Sequence, residues 1–91
     1  MTIMATKRRR RGSKIKVVEV KLKRQHALGQ AWAAEGLVEI DPRQRAKVYL
    51  NTLIHELTHI LFPEASEHKV RKVSGKYVKA LWDAGYRRIA K

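Results

Sequence analysis

The apolar residues of this chain change period at Asp41-Pro42. Before that point they alternate with charged residues or fall in short runs broken by glycine. After it they recur every three or four residues. A period of two belongs to a half-buried strand, and a period near 3.6 to an amphipathic helix. With 91 residues, 44% of them hydrophobic, the chain has material for one domain and one modest core. Strands followed by helices in one domain predict an α+β fold, a small antiparallel sheet of about three strands packed against two helices.

The segment "KIKVVEVKLK", residues 14–23, is the first expected strand. Ile15 and Val17 share one phase while Val18, Val20 and Leu22 share the other, so a slip, of the kind a bulge produces, is expected at Val17-Val18. Lys14, Lys16, Glu19 and Lys21 imply one wet face. Residues 24–29 read as a connection. "QAWAA", 30–34, and "LVEID", 37–41, flank Glu35-Gly36 and predict a hairpin. "ALGQAWAAE" is also compatible with a helix on propensity, but Gly29 and Gly36 favour strands.

Asp41 is a suitable N-cap for the first helix, Pro42 suits its first position, and Gln44 stands where a capping-box partner belongs. The helix is expected to stop near Phe62, because Pro63 disfavours helical geometry in the residue before it. Ser66 can cap a second helix, in which Val70, Val73, Tyr77, Leu81 and Ala84 recur at helical spacing. Gly85 is its expected stop, and Gly75 inside it weakens it slightly. Lys69, Lys72, Lys76 and Lys79 lie opposite that stripe and read most simply as a solvated face.

The formal charge is +13, which favours association with polyanions such as nucleic acid. Five of the 21 basic residues form one block, Lys7 to Arg11. Residues 1–13 are read as a disordered basic tail, with a nucleic-acid arm as the alternative, and 14–91 as the single folded domain. No run approaches the roughly 18 apolar residues of a membrane span. "MTIMATKRRRRGSK" lacks the apolar stretch of a secretory signal. There are no cysteines. Disulfides and cysteine-ligated zinc are excluded, any metal must be held by His, Asp or Glu, and a cytoplasmic location fits.

On a wheel at about 100° per residue, Ala46, Leu50, Leu53, Leu57, Ile60 and Leu61 gather on one side of the first helix, the side expected to face the core. His55 and His59 fall nearly opposite, one turn apart, with Glu56 between the two faces. The plain reading is a pair of exposed helix histidines. The other is HExxH, His55-Glu56-Leu57-Thr58-His59: two imidazoles one turn apart can reach one ion, and the intervening glutamate acts on the water. Zinc held in this way acidifies a bound water and polarises a carbonyl. Glu56 takes the water's proton and passes it to the leaving amine. A third ligand is needed. Glu64, Glu67 and His68 follow closely. Glu67 lies at the edge of the second helix's stripe, facing the first helix, and is preferred. Glu64, in the turn after Pro63, is the alternative. His68 turns about 100° away, toward solvent. Glu67 also suits a helix start through the dipole.

HExxH followed by a glutamate on the next helix resembles the minimal gluzincin metallopeptidase pattern. "LIHELTHILFPEASEHKV" with the "IDPR" entry, within residues 37–82, resembles small phage-type metallopeptidases of the SprT-like and ImmA/IrrE-like kind. The resemblance implies a zincin-like domain with Zn²⁺ on His55, His59 and Glu67 and with Glu56 as general base. It implies a peptide or protein substrate paired to a sheet edge beside the cleft, either strand of the 30–41 hairpin serving. It implies the cytoplasm of a bacterial host if the protein is phage-encoded. Tyr77, Tyr86, His26 and His68 are available to stabilise an oxyanion. Trp32 and Trp82 are read as packing residues. Two other readings stand beside the peptidase: a basic nucleic-acid-binding protein with a structural or vestigial zinc, and a metal-free interaction module.

Overall fold

The structure, a computed structural model, describes residues 14–22 and 28–89. The expected tail with its Lys7–Arg11 block, and His26, lie outside the described residues. The elements are β1 (Lys16–Glu19), β2 (Gly29–Trp32), a 3-10 turn (Ala33–Glu35), β3 (Leu37–Ile40), α1 (Ala46–Leu61) and α2 (Glu67–Asp83).

The α+β expectation holds, but the sheet is mixed rather than antiparallel. Its order is β1-β3-β2. β2 and β3 form the expected antiparallel hairpin, closed by the 3-10 turn and by Gly36 at φ 62°. β1 instead pairs parallel with β3, from Lys16 opposite Leu37 to Glu19 opposite Ile40. Val38 and Ile40 are wholly buried, and the strand carrying them takes the centre. The strands bearing Lys16, Glu19 and Gln30 take the edges, where charged and polar groups keep access to solvent. β1 matches β3 residue for residue, so no bulge falls at Val17-Val18.

Residues opposite one another in a ladder share a face. Val17, Glu19, Gly29, Ala31, Val38 and Ile40 therefore face α1 together. On that face the Tyr49 hydroxyl donates to Glu19 Oε2 at 2.6 Å. Burial, with the Glu19 carboxylate beside it, pushes the Tyr49 phenol up to about 12. Trp32 pairs with Leu37 on the other face and is 39% exposed.

α1 begins at Ala46, not at Pro42, with Arg45 as N-cap. The Asp41 carboxylate is engaged elsewhere. Oδ2 accepts from the Leu22 amide at 3.1 Å and Oδ1 from the Arg43 amide at 3.0 Å. Arg43 also grips both oxygens through Nε at 2.9 Å and Nη2 at 2.6 Å. Gln44, expected in a capping box, joins three segments instead. Its Nε2 donates to the carbonyls of Asp41 and Leu28, and its Oε1 accepts from Thr52 Oγ1 at 2.7 Å. An Asp before Pro can cap a helix or close an Asx turn. Here Arg43 and the amide of Leu22 select the turn.

The other helix ends follow their local signals. Phe62 terminates α1 ahead of Pro63. Ser66 Oγ accepts from the Lys69 amide and caps α2. Gly85, at φ 98°, closes a Schellman motif through Gly85 N–H to the Trp82 carbonyl and Tyr86 N–H to the Leu81 carbonyl.

α1 packs against β2 and β3 on one side and α2 on another. The expected single stripe is therefore corrected. Ala46 and Leu61 are exposed, and the buried residues of α1 are Tyr49, Thr52 and Thr58. On α2 the buried line is Val70, Ser74 and Val78, while Tyr77 is 59% exposed and Ala84 is exposed. Small hydroxyl residues stand at buried positions on both helices, and Gly29 brings β2 close to Thr52. Thr58 and Ser74 satisfy their hydroxyls on carbonyls of their own helices, at Ile54 and Arg71. Beyond α2, the Arg87 guanidinium stacks on the half-buried Trp82 at 3.4 Å and Arg88 covers Tyr49 at 4.2 Å. Among the described residues no helix is long and apolar enough to cross a membrane.

Candidate metal centre

α1 places His55 and His59 one turn apart, their rings meeting edge to face with centroids 4.9 Å apart. The turn at Pro63 and the Ser66 cap start α2 directly opposite them, so Glu67, its first residue, faces both imidazoles. Glu67 Oε2 lies 3.0 Å from His55 Nε2, and Oε1 lies 3.0 Å from His59 Nε2. Arg71, one turn further along α2, brings Nε to 3.3 Å from Oε2. The two histidine side chains are 20% and 29% exposed and Glu67 is 48% exposed, so the group opens to solvent on the α2 side.

One ligand atom from each of the three residues lies within 4.8 Å of the others, an arrangement able to hold a metal ion. Two imidazole nitrogens and a carboxylate oxygen form a donor set that zinc accepts. Tetrahedral zinc with bonds of about 2.0–2.1 Å separates its ligands by about 3.3 Å. Glu67 meets each imidazole through a different oxygen, at 3.0 Å in both cases, and one donor atom from each of the three residues lies within 4.8 Å of the others, so small side-chain shifts bring the set to that spacing. Glu64 is exposed and stands outside the group, and His68 is exposed, as its position on the wheel predicts.

Glu56 is half-buried beside the group without belonging to it. It lies between two depressions. One, of about 510 Å³, is shared with His55, Glu67, Arg71 and Asn51. The other, of about 430 Å³, is shared with His59, Pro63 and the residues of β2. Burial pushes the Glu56 carboxyl above its ordinary value, helped by the charge of Glu67 and opposed by His55 and His59. Burial also pushes Glu67 upward, but His55, His59 and Arg71 together outweigh it and hold that carboxyl below its ordinary value. Two neighbouring carboxyls are thus driven in opposite directions, a division that separates proton-carrying from charge-bearing roles.

Several features of this site have no signal in the motif. Gly29 lets β2 lie against α1. A Cβ built there would meet Thr52 Cγ2 at 2.7 Å and Glu56 Cγ at 3.3 Å. In sequence Gly29 reads only as a helix breaker. Of the two hairpin strands expected at the cleft, β3 is central and only β2 is at an edge. Arg71 and Asn51 line the cavity, whereas Tyr77, Tyr86 and His68 do not. The signals for Arg71 and Asn51 are their i,i+4 spacings to Glu67 and His55, which place them on the same helix faces. Comparison with protein-family models, curated proteins and solved structures finds no significant match.

Proposed function

We propose that the protein is a zinc-dependent metallopeptidase of zincin-like arrangement, similar to the small SprT-like and ImmA/IrrE-like peptidases, acting in a cytoplasm on a peptide or protein. One observation carries the reading. The Glu67 carboxylate reaches both HExxH imidazoles at 3.0 Å while Glu56 stands in the same cavity, outside the ligand group. A purely structural site has no use for that second carboxylate.

His55, His59 and Glu67 would hold the ion. Zinc, when bound, supplies a Lewis acid and a water acidified toward neutrality. Glu56 accepts a proton from the water and returns it to the departing amine. Its half-buried place beside the ligand group lets one carboxylate make both transfers. β2 offers an edge to which an extended peptide can pair. Asn51, lining the same cavity, supplies a donor for developing oxyanion charge.

A second reading, a basic nucleic-acid-binding protein with a structural zinc, is favoured by one feature. Lys69, Arg71, Lys72, Lys76 and Lys79 are exposed, with no acidic residue between Glu67 and Asp83. The two are separated by loading the protein with zinc and assaying wild type and Glu56→Gln on a library of quenched peptides. Cleavage by wild type, lost in a Glu56→Gln protein that keeps its zinc, supports the peptidase. Absence of cleavage together with salt-dependent binding of DNA or RNA supports the second reading.

A further inference from the structure

The cavity holding Glu56 does not end at Arg71. Asn51 lines both that cavity and a second depression of about 380 Å³, bounded by Lys47 of α1 and by Gly75, Val78 and Lys79 of α2. A trough thus runs between the two helices, away from His55 and Glu67. Its charged side chains beyond Glu67 are Arg71, Lys47 and Lys79. Arg71 spends only Nε on Glu67. Its side chain is 73% exposed. Lys79 pairs with Asp83 at 3.2 Å, but both are largely exposed, so the contact is weak and exchangeable. A Cβ on Gly75 would meet nothing within 4 Å, so the trough is open where a side chain would otherwise stand.

We propose that this trough is a subsite for an acidic peptide, whose carboxylates engage Arg71 and then Lys79 and Lys47. The proposal rests on the peptidase reading and names its substrate class. The spacing makes it specific. At about 1.5 Å per residue, Arg71 lies about 6 Å and Lys79 about 18 Å beyond Glu67 along α2. An extended chain advances about 3.3 Å per residue. Acidic side chains about two and about five residues from the scissile bond therefore come level with the two cations. The exposed guanidinium fork suits a carboxylate, and the apolar floor of Val48 and Val78 suits the intervening aliphatic carbons.

The test uses full-length, zinc-loaded protein and labelled twelve-residue peptides. These carry Asp two and five residues from the centre on one side or the other, with Asn counterparts. Binding is read by anisotropy in a Glu56→Gln background, so that nothing is cut, and cleavage is read in wild type. The expected result is an acidic peptide bound at least about tenfold more tightly than its Asn counterpart. Arg71→Gln and Lys79→Gln each reduce that preference several-fold, and Gly75→Leu, which fills the trough while improving helix propensity, removes it. Lys79→Gln and Gly75→Leu lie away from the ligands, so a loss there cannot be ascribed to a damaged metal group. Equal binding of the two peptides, or a preference surviving all three substitutions, overturns the subsite. So does a DNA duplex that displaces the acidic peptide and is itself weakened by the same substitutions, which would assign the trough to phosphates. Glu56-dependent cleavage that ignores acidity leaves the peptidase and removes the subsite. Cleavage of no peptide removes the peptidase and this substrate class with it.

Discussion

Gly29 of β2 and Glu56 of α1 are in near contact: a Cβ at position 29 would stand 3.3 Å from Glu56 Cγ. The same atom would stand 2.7 Å from Thr52 Cγ2 and 3.3 Å from the Glu39 carbonyl oxygen. The missing side chain is what lets the edge strand lie on the helix that carries HExxH. Gly29→Ala is expected to cost about 1–3 kcal/mol through overpacking, read as a lower urea midpoint. It should also reduce hydrolysis by moving Glu56, with zinc content unchanged. Gly75→Ala, where the new Cβ meets open space, is the control and should gain about 0.5–1 kcal/mol.

Zinc is expected to bind at one equivalent per chain. At a free concentration a hundred times its Kd it should stabilise the fold by about 2.7 kcal/mol, visible as a rise in Tm that a chelator reverses. His59→Ala and Glu67→Ala should lose both the metal and the rise. Glu64→Ala, outside the group, should keep both. Retention of stoichiometric zinc in Glu67→Ala would transfer the third ligand elsewhere.

Glu56 has a folded-state pKa raised by burial. The folded protein therefore binds that proton more tightly than the unfolded chain does. The resulting stability is complete below the ordinary glutamate value and is lost as the pH rises through the raised one. With chelator present, Glu56→Gln should be more stable than wild type at pH 7 and equal to it near pH 3. A wild type no less stable than Glu56→Gln at pH 7 would show that burial does not strain this carboxylate.

Asp41 behaves in the opposite sense. Arg43 and the amides of Arg43 and Leu22 hold its carboxyl well below the usual carboxylate range. Its contribution is present above the ordinary aspartate value of about 3.9 and disappears as the pH falls through the depressed one. Unfolding midpoints measured from pH 7 down to pH 2 should fall for wild type and fall less for Asp41→Asn.

Ile40 is wholly buried and Leu61 is 61% exposed. Ile40→Ala should cost about 2–5 kcal/mol, while Leu61→Ala should stay within about 0.5 kcal/mol of wild type. Comparable losses from the two would restore the single-stripe view of α1.

What could be read without the fold was whatever depends on near neighbours in the chain. The change of period at Asp41-Pro42, the stop before Pro63, the Ser66 cap and the Gly85 terminus each involve groups within a few residues, and each element formed where its signal lies, apart from the start of α1. HExxH is of the same kind, since one helical turn is enough to bring His55 and His59 side by side. Pairing and burial are different. β1 joins β3 in parallel because Val38 and Ile40 claim the centre of the sheet. Asp41 abandons its cap because Leu22, far back in the chain, presents an amide. The buried sector of α1 passes through Tyr49, Thr52 and Thr58 because two partners cover the helix from different sides, and a wheel counts only one. Helical spacing points Glu67 toward the first helix and sets Arg71 one turn beyond it, but Gly29 acquires its place beside Glu56 by packing against segments remote in sequence, which no local periodicity encodes.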